Sequence, residues 1–227
     1  MATGPQPQRV AKRALILGAI AFRSSLEVTN HPRVVEISQK LMPWLHELAC
    51  EDELDPIERE LLTTPLGQLN DSQRIDANWA GEAATFFCWT LNLLGPLEAA
   101  RPADQSRLPS VLFILKPGAN DILQSASLRE ITEIQDLCRQ YVLIRSILQE
   151  TRFGTPVSDI IRRTNLQRLA DVGLDVTEDA VKRASETVAR MTPEERSRSA
   201  GLYFVRDHAA LWFFRDRPNY FDQDATD

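Results

Sequence analysis

Apolar residues recur along most of this chain at intervals of three and four, the spacing that gathers them on one face of an α-helix. From Val10 they fall at Ala14, Leu17 and Ala21, with Leu15, Phe22 and Leu26 on the adjoining row, which predicts a first helix ended by His31-Pro32. Val34, Ile37, Leu41, Leu45 and Leu48 mark a second. Pro43 bends or divides it, because the proline ring removes a backbone donor. Asp55-Pro56-Ile57-Glu58 is a helix start: Asp55 caps, Pro56 suits the first turn and Glu58 reaches back to the cap.

Asn70 and Gln73 open the most apolar stretch, IDANWAGEAATFFCWTLNLLG, in which Trp79, Ala83, Phe86, Phe87, Leu91 and Leu94 leave little polar face. A helix apolar nearly all round belongs at the centre of a bundle. Val111 to Leu115 reads equally as a short buried strand or a helical piece. Ser127 and Glu130 form a capping-box pattern that opens a long amphipathic helix to Arg152, with Leu128, Ile131, Ile134, Leu137, Tyr141, Ile144 and Leu148 turned inward. Gly154-Thr155-Pro156 separates it from a further helix carrying Ile160, Ile161, Leu166 and Leu169. Thr177 to Met191 has a narrow seam of Val181, Ala184 and Val188, and Thr192-Pro193-Glu194-Glu195 starts a last helix through Leu202, Val205, Ala209 and Trp212. The expectation is an all-α protein, an irregular multi-helix bundle with at most one or two short strands. Residues 1–8 read as a flexible tail and residues 9–227 as a single helical domain, since neither a repeat nor a Gly/Ser-rich linker divides them.

Composition narrows the setting. At 227 residues, 43% hydrophobic and 26% charged, the chain can build a core without disulfides or metal. Arg9, Lys12 and Arg13 before the apolar run Ala14 to Phe22 mimic a signal peptide. Arg23 follows at once, however, and the helical pattern continues through Leu26. That run is also too short to span a bilayer, which takes about 20 residues. Cys50, Cys88 and Cys138 are odd in number and match no zinc or redox spacing, so a reducing, cytoplasmic setting is expected, with no membrane partner.

Net charge is −6. Phosphate binding draws on a Lys/Arg surplus, so nucleic acid is not an expected partner. The charge is segregated: residues 1–40 carry six Lys/Arg against two acids, and residues 41–82 carry ten acids against Arg59 and Arg74. Such blocks either attract each other within the fold or present an acidic docking face.

No glycine-rich phosphate loop, GxSxG or HExxH is present, and His31, His46 and His208 are too dispersed for a zinc set. Neither metal nor cofactor is expected. Polar residues on otherwise apolar helices are the candidates for a site. Glu82 follows Trp79 by three positions, Arg145 lies between Ile144 and Ile147, and Asp207-His208 precedes Ala209. Buried charges are costly unless paired, so a Glu82–Arg145 ion pair or a hydrogen-bonded His208 would satisfy them. Trp79, Glu82, Arg145 and His208 are therefore the candidate ligand-binding residues. Phe86, Phe87 and Trp89 are spaced as core, and the basic cluster Arg162, Arg163 and Arg168 is nearly balanced by acids around it.

Several segments together resemble a bacterial family, domain of unknown function family 4272. They are the opening R-x-L-x-L pattern with Leu26-Glu27, the central IDANWAGEA…WTLNLLGPLE, the helix SLREITEIQDLCRQYVLIRS, and HAALWFF followed by YFDQDATD. The chain departs from that pattern at Trp79-Ala80-Gly81-Glu82, where the family has Trp-Arg-x-Glu, and around Tyr141-Val142-Leu143, where it has His-Trp-Ala. The missing Arg and His weaken a shared catalytic site, while Glu82, Arg145 and His208 match. The resemblance implies an intracellular bacterial protein and supplies no activity. The leading expectation is a helical domain that binds a protein partner or small ligand without catalysis. One alternative is a hydrolase or transferase acting on an anionic substrate through Glu82, Arg145 and His208. The other is a regulatory or toxin-neutralising partner that uses the acidic 41–82 face.

Overall fold

The computed structural model describes residues 5–29, 32–97, 101–152, 167, 169–215 and 220–221. Among them all regular structure is helical and no strand occurs. The helices group into two compact units.

The first unit contains α1 (Pro7–Glu27), α2 (Val34–Gln39), α3 (Leu41–Glu47), α4 (Pro56–Thr63), α5 (Asp71–Thr90), α6 (Leu108–Val111) and α7 (Ala119–Ser125), together with Tyr220 and Phe221. Its centre is the α1–α5 pair, the most extensive helix packing in the unit. Both helices are buried around their whole circumference in the middle, α1 from Arg13 to Ile20 and α5 from Ala80 to Thr90. The expected central position of the Phe86-Phe87 segment is therefore observed, with α1 as its partner. Helix α1 begins at Pro7, inside the stretch expected as a tail.

Local starts and stops follow the sequence closely. Asp55 and Glu58 form a reciprocal capping box on α4, and Asn70 and Gln73 form another on α5. The predicted second helix is divided, but at Lys40, so that Pro43 occupies the first turn of α3, where a missing N–H is tolerated. Val111 to Leu115 is neither the strand nor the helical piece expected: α6 ends at Val111, residues 112–115 follow as turns, and Phe113 and Leu115 take left-handed backbone angles, φ 49° and 60°.

Two glycines let the 105–112 segment approach the central pair. A Cβ at Gly18 of α1 would overlap Leu112 Cδ1, and one at Gly81 of α5 would overlap the Gln105 amide. Side-chain-free notches on both helices thus receive this segment.

The second unit contains α8 (Ile131–Arg152), α9 (Glu178–Ala189) and α10 (Pro193–Arg215). Helix α8 packs on both others. It starts at Ile131, four residues after the expected cap Ser127, and Ile131 is exposed rather than inward. The chain passes from one unit to the other at Leu128–Arg129, so the Ser127–Glu130 pattern lies on a connection instead of a helical turn. Thr177 caps α9, whose buried stripe is Ala180, Ala184 and Val188, with Val181 at its margin. Thr192 and Glu195 exchange hydrogen bonds of 3.2 and 2.8 Å and open α10 as expected. The helix expected around Ile160, Ile161 and Leu166, and the Arg162, Arg163, Arg168 cluster, lie outside the described residues; Leu169 is buried.

Candidate functional site

The segregated charges of the first unit meet one another. Each Lys or Arg of residues 1–40 has an acidic partner, and three of them reach the acid-rich segment: Arg9 to Glu53 at 3.0 Å, Lys12 to Asp52 at 2.8 Å, and Arg13 to Glu58. These three share one face of the first turns of α1, Lys12 and Arg13 lying three and four residues beyond Arg9, so a short basic cluster is matched by the 3₁₀ turn Glu51–Glu53 and the start of α4. Mutual attraction within the fold accounts for this part of the charge pattern.

Arg13 and Glu58 are both fully buried. One Arg13 terminal nitrogen holds Glu58 Oε1, and the other donates to the Glu53 carbonyl. Glu58 Oε2 accepts the Asp55 N–H at 3.0 Å. Burial pushes the Glu58 carboxyl up to about 7, and the Arg13 charge opposes that rise. Asp55 is equally committed: Oδ1 accepts the Glu58 N–H at 2.8 Å and Oδ2 accepts the Phe221 N–H at 3.0 Å. The Tyr220 ring, 3% exposed, stands edge-on to Phe87 with centroids 6.3 Å apart, and the Arg13 guanidinium lies 5.9 Å from its centre. The result is a relay of contacts, Arg13–Glu58–Asp55–Phe221, with Tyr220 seated beside it. Further along α1, buried Arg23 pairs with Glu27 and donates to the carbonyl of Thr64 at 2.6 Å, binding the end of α4.

Sequence reasoning missed this cluster. Arg13 was legible only as one member of a basic run and Glu58 only as a cap. The available signal was positional: Arg13 directly precedes the uninterrupted apolar run Ala14 to Phe22, where a buried charge needs a partner.

The four residues singled out from the sequence fall into both units. Trp79, half-buried, and Glu82, 2% exposed, sit one turn apart on α5 of the first unit. Arg145 of α8 and half-buried His208 of α10 belong to the second. The sequence offers Glu82 as the partner of Arg145; the structure shows Asp207, a fully buried carboxylate, in that role. The Arg145 guanidinium also lies 4.8 Å from the centre of the exposed Phe204 ring, a cation–π arrangement. One residue from Asp207, buried Arg206 lies against the rings of Tyr141 and Tyr203, 5.3 and 5.8 Å from their centres, and donates to the Arg101 carbonyl at 2.6 Å. Arg145 and Asp207 are thus brought together, with His208 the next residue along α10.

An open groove of about 400 Å³ runs between α8 and α9, lined by Asp136, Gln140, Arg183, Glu186, Thr187 and Arg190. Its charges are of both signs and pair along their own helices, Arg183 with Asp179 and Arg190 with Glu186. Among the described residues no group of His, Cys, Asp or Glu is arranged to hold a metal ion, and no helix is long and apolar enough to cross a membrane.

This is an all-α protein with largely buried Arg–carboxylate pairs within each unit, Arg13–Glu58 and Arg23–Glu27 in the first and Arg145–Asp207 in the second. The model of the family described as Domain of unknown function (DUF4272) matches residues 2–168, and the chain belongs to that family. No curated protein and no solved structure matches the chain. Arg13, Asp55, Glu58, Trp79, Glu82, Phe87 and Arg145 lie inside the matched range; Asp207, His208 and Tyr220 lie beyond it.

Proposed function

We propose that the chain is a non-catalytic binding domain, acting through contacts with a partner rather than by turnover. The observation that carries this reading is the commitment of its interior charges. Glu58 is held by Arg13 and by the Asp55 N–H, Asp207 is held by Arg145, and Asp55 uses both oxygens on backbone donors. A general acid or base must exchange its proton with a substrate within hydrogen-bond reach, and carboxylates held on both oxygens, as Glu58 and Asp55 are, are poorly placed to do so. Trp79, Glu82, Arg145 and His208 remain the first residues to alter.

The test is replacement of Glu82 and His208 by Ala, with stability, binding and turnover followed together. The reading expects changes in stability or binding alone. A substrate consumed by the purified protein, and spared by either variant with its fold intact, would instead establish the enzyme alternative on Glu82, Arg145 and His208. The acidic-face alternative has less support, since Asp52, Glu53 and Glu58 are matched by Arg9, Lys12 and Arg13. We assign the protein to the cytoplasm on the strength of its three free, buried thiols. Nucleic acid is disfavoured as a partner by the net charge of −6.

A further inference from the structure

We propose that Arg13, Glu58 and Asp55 form a proton-linked latch in the first unit, which takes up a proton on Glu58 as it closes. A rise of pH through the neutral range then loosens residues 51–58 from α1. The motive is charge balance. Glu58 and Asp55 are two carboxyls, 0% and 2% exposed, held side by side by their reciprocal capping box, and one buried cation, Arg13, lies against Glu58. Two carboxylates enclosed with a single cation leave one negative charge in excess where water is excluded, and such a site favours keeping one carboxyl protonated. The neighbouring cations of α1 are engaged beside the cluster, Arg9 by Glu53 and Lys12 by Asp52. Glu53 also brings a carboxylate oxygen to 3.8 Å from Arg13, which adds negative charge rather than removing it. Cys50 and Tyr220 are buried nearby, and burial raises both, so they keep their protons at neutral pH. Helix α3 packs on α4 as well; its titratable groups, His46 and Glu47, are exposed, and His46 lies 2.9 Å from Glu51.

Burial is the largest cause that moves the Glu58 carboxyl from an ordinary 4.5 up to about 7; the Arg13 charge opposes the rise and Asp55 adds to it. Once the latch opens, Glu58 meets water and returns to its ordinary value. Between pH 4.5 and 7 the closed form therefore holds a proton that the open form releases. Closure gains this contribution in full below pH 4.5 and loses it as pH rises through 7. The parts that move are the ends of short elements. Arg13 donates to the carbonyl of Glu53, the last residue of the 3₁₀ turn, and Glu58 Oε2 accepts the N–H of Asp55, the cap of α4. Element ends open at lower free energy than a packed core. The α1–α5 pair, the main packing of this unit, is built from other residues and stays closed.

The test is hydrogen exchange on the full chain from about pH 5 to about pH 8, with rates corrected for the intrinsic pH dependence of amide exchange. Two amides report closure: Glu58 N–H, which donates to Asp55 Oδ1 at 2.8 Å, and Asp55 N–H, which donates to Glu58 Oε2 at 3.0 Å. Protection of both is expected to fall as pH rises toward 7 and then to level off. The slope should approach about tenfold per pH unit, the value that a single proton imposes. Glu58→Gln keeps the side chain neutral at every pH and should flatten the slope, whereas His46→Gln should retain it. Protection that ignores pH in the unaltered chain, a slope that survives in Glu58→Gln, or one that vanishes in His46→Gln would overturn the proposal. Should Glu58→Gln fail to fold, a carbon NMR titration of the unaltered chain decides the matter. The Glu58 carboxyl is expected to titrate near pH 7, and a midpoint at its ordinary value or below would overturn the latch.

Discussion

Arg13 and Glu58 stand 45 residues apart in sequence and meet as an ion pair from which water is excluded on both sides. Taking two charges out of water is costly, and their attraction with a full set of hydrogen bonds offsets that cost. Removing Glu58 leaves Arg13 charged and buried without its counter-ion, and removing Arg13 drives the buried Glu58 carboxyl to take up a proton.

The first prediction follows from that asymmetry. Arg13→Ala and Glu58→Ala should each lower unfolding stability by about 3–5 kcal/mol, whereas the double change Arg13→Met with Glu58→Leu should cost much less than the sum. Denaturant titration of the three variants measures it. Additive losses would show that the two groups do not act as a pair.

A second prediction separates structure from function in the other unit. Asp207 is fully buried against Arg145, while its neighbour His208 is only partly covered. Asp207→Asn should cost about 3 kcal/mol and His208→Ala about 1 kcal/mol or less. Thermal melts compare the two. A larger loss at His208 would move the structural role to the imidazole.

The glycine notches give a third. At Gly18 an added methyl meets Leu112, which is fully buried and cannot swing away. Gly18→Ala should therefore destabilise by about 1–3 kcal/mol despite the better helix propensity of alanine. At Gly81 the obstacle is the end of the half-buried Gln105 side chain, which can turn aside. Gly81→Ala should fall within about 1 kcal/mol of the parent, since alanine's helix preference works against the small displacement. The ranking of the two midpoints checks the argument.

The fourth concerns alkaline pH. Burial pushes the Cys50 thiol and the Tyr203 phenol each up to about 12, and raises Cys88, Cys138 and Tyr220 above their ordinary values as well. Each folded-state pKa exceeds its unfolded value, so the folded chain holds these protons longer than the unfolded one does. Their contribution is complete below pH 9 and is lost as pH rises through 9 to 12. Native-state reaction of the three thiols with a disulfide reagent at pH 8 should accordingly be slow and should track global opening. Rapid modification of any one of them, without unfolding, would contradict the burial that drives the shift.

What the amino-acid pattern revealed was local in origin. Asp55–Glu58, Asn70–Gln73 and Thr192–Glu195 each close a hydrogen-bonded ring within four residues, so they act the same way wherever the helix ends up. The Phe86-Phe87 segment was legible because a helix without a polar face has one place to go. Ser127–Glu130 carries the same lettering and fails, since the chain is crossing between units there and α8 starts only at Ile131, after the whole pattern. Asp207 as the partner of Arg145, and Tyr220-Phe221 on Asp55, depend on residues brought together from distant positions, 62 apart in one case and 166 in the other. Spacing along a single helix holds no record of such partners.

Phe113 and Leu115 are bulky residues wound the left-handed way within three positions of each other, an arrangement that costs on the order of 1–3 kcal/mol apiece. Hydrogen bonds at the end of α6 offset part of that cost, Ile114 N–H donating to the Pro109 carbonyl at 3.0 Å and Lys116 N–H to that of Phe113 at 2.8 Å, and Leu112 lodged against α1 at Gly18 holds the segment in place. The stretch from Leu108 to Gly118 is consequently spring-loaded. Should the Leu112 anchor slip, both residues would relax to ordinary angles together, and this strap would peel away ahead of the helix pair beneath it.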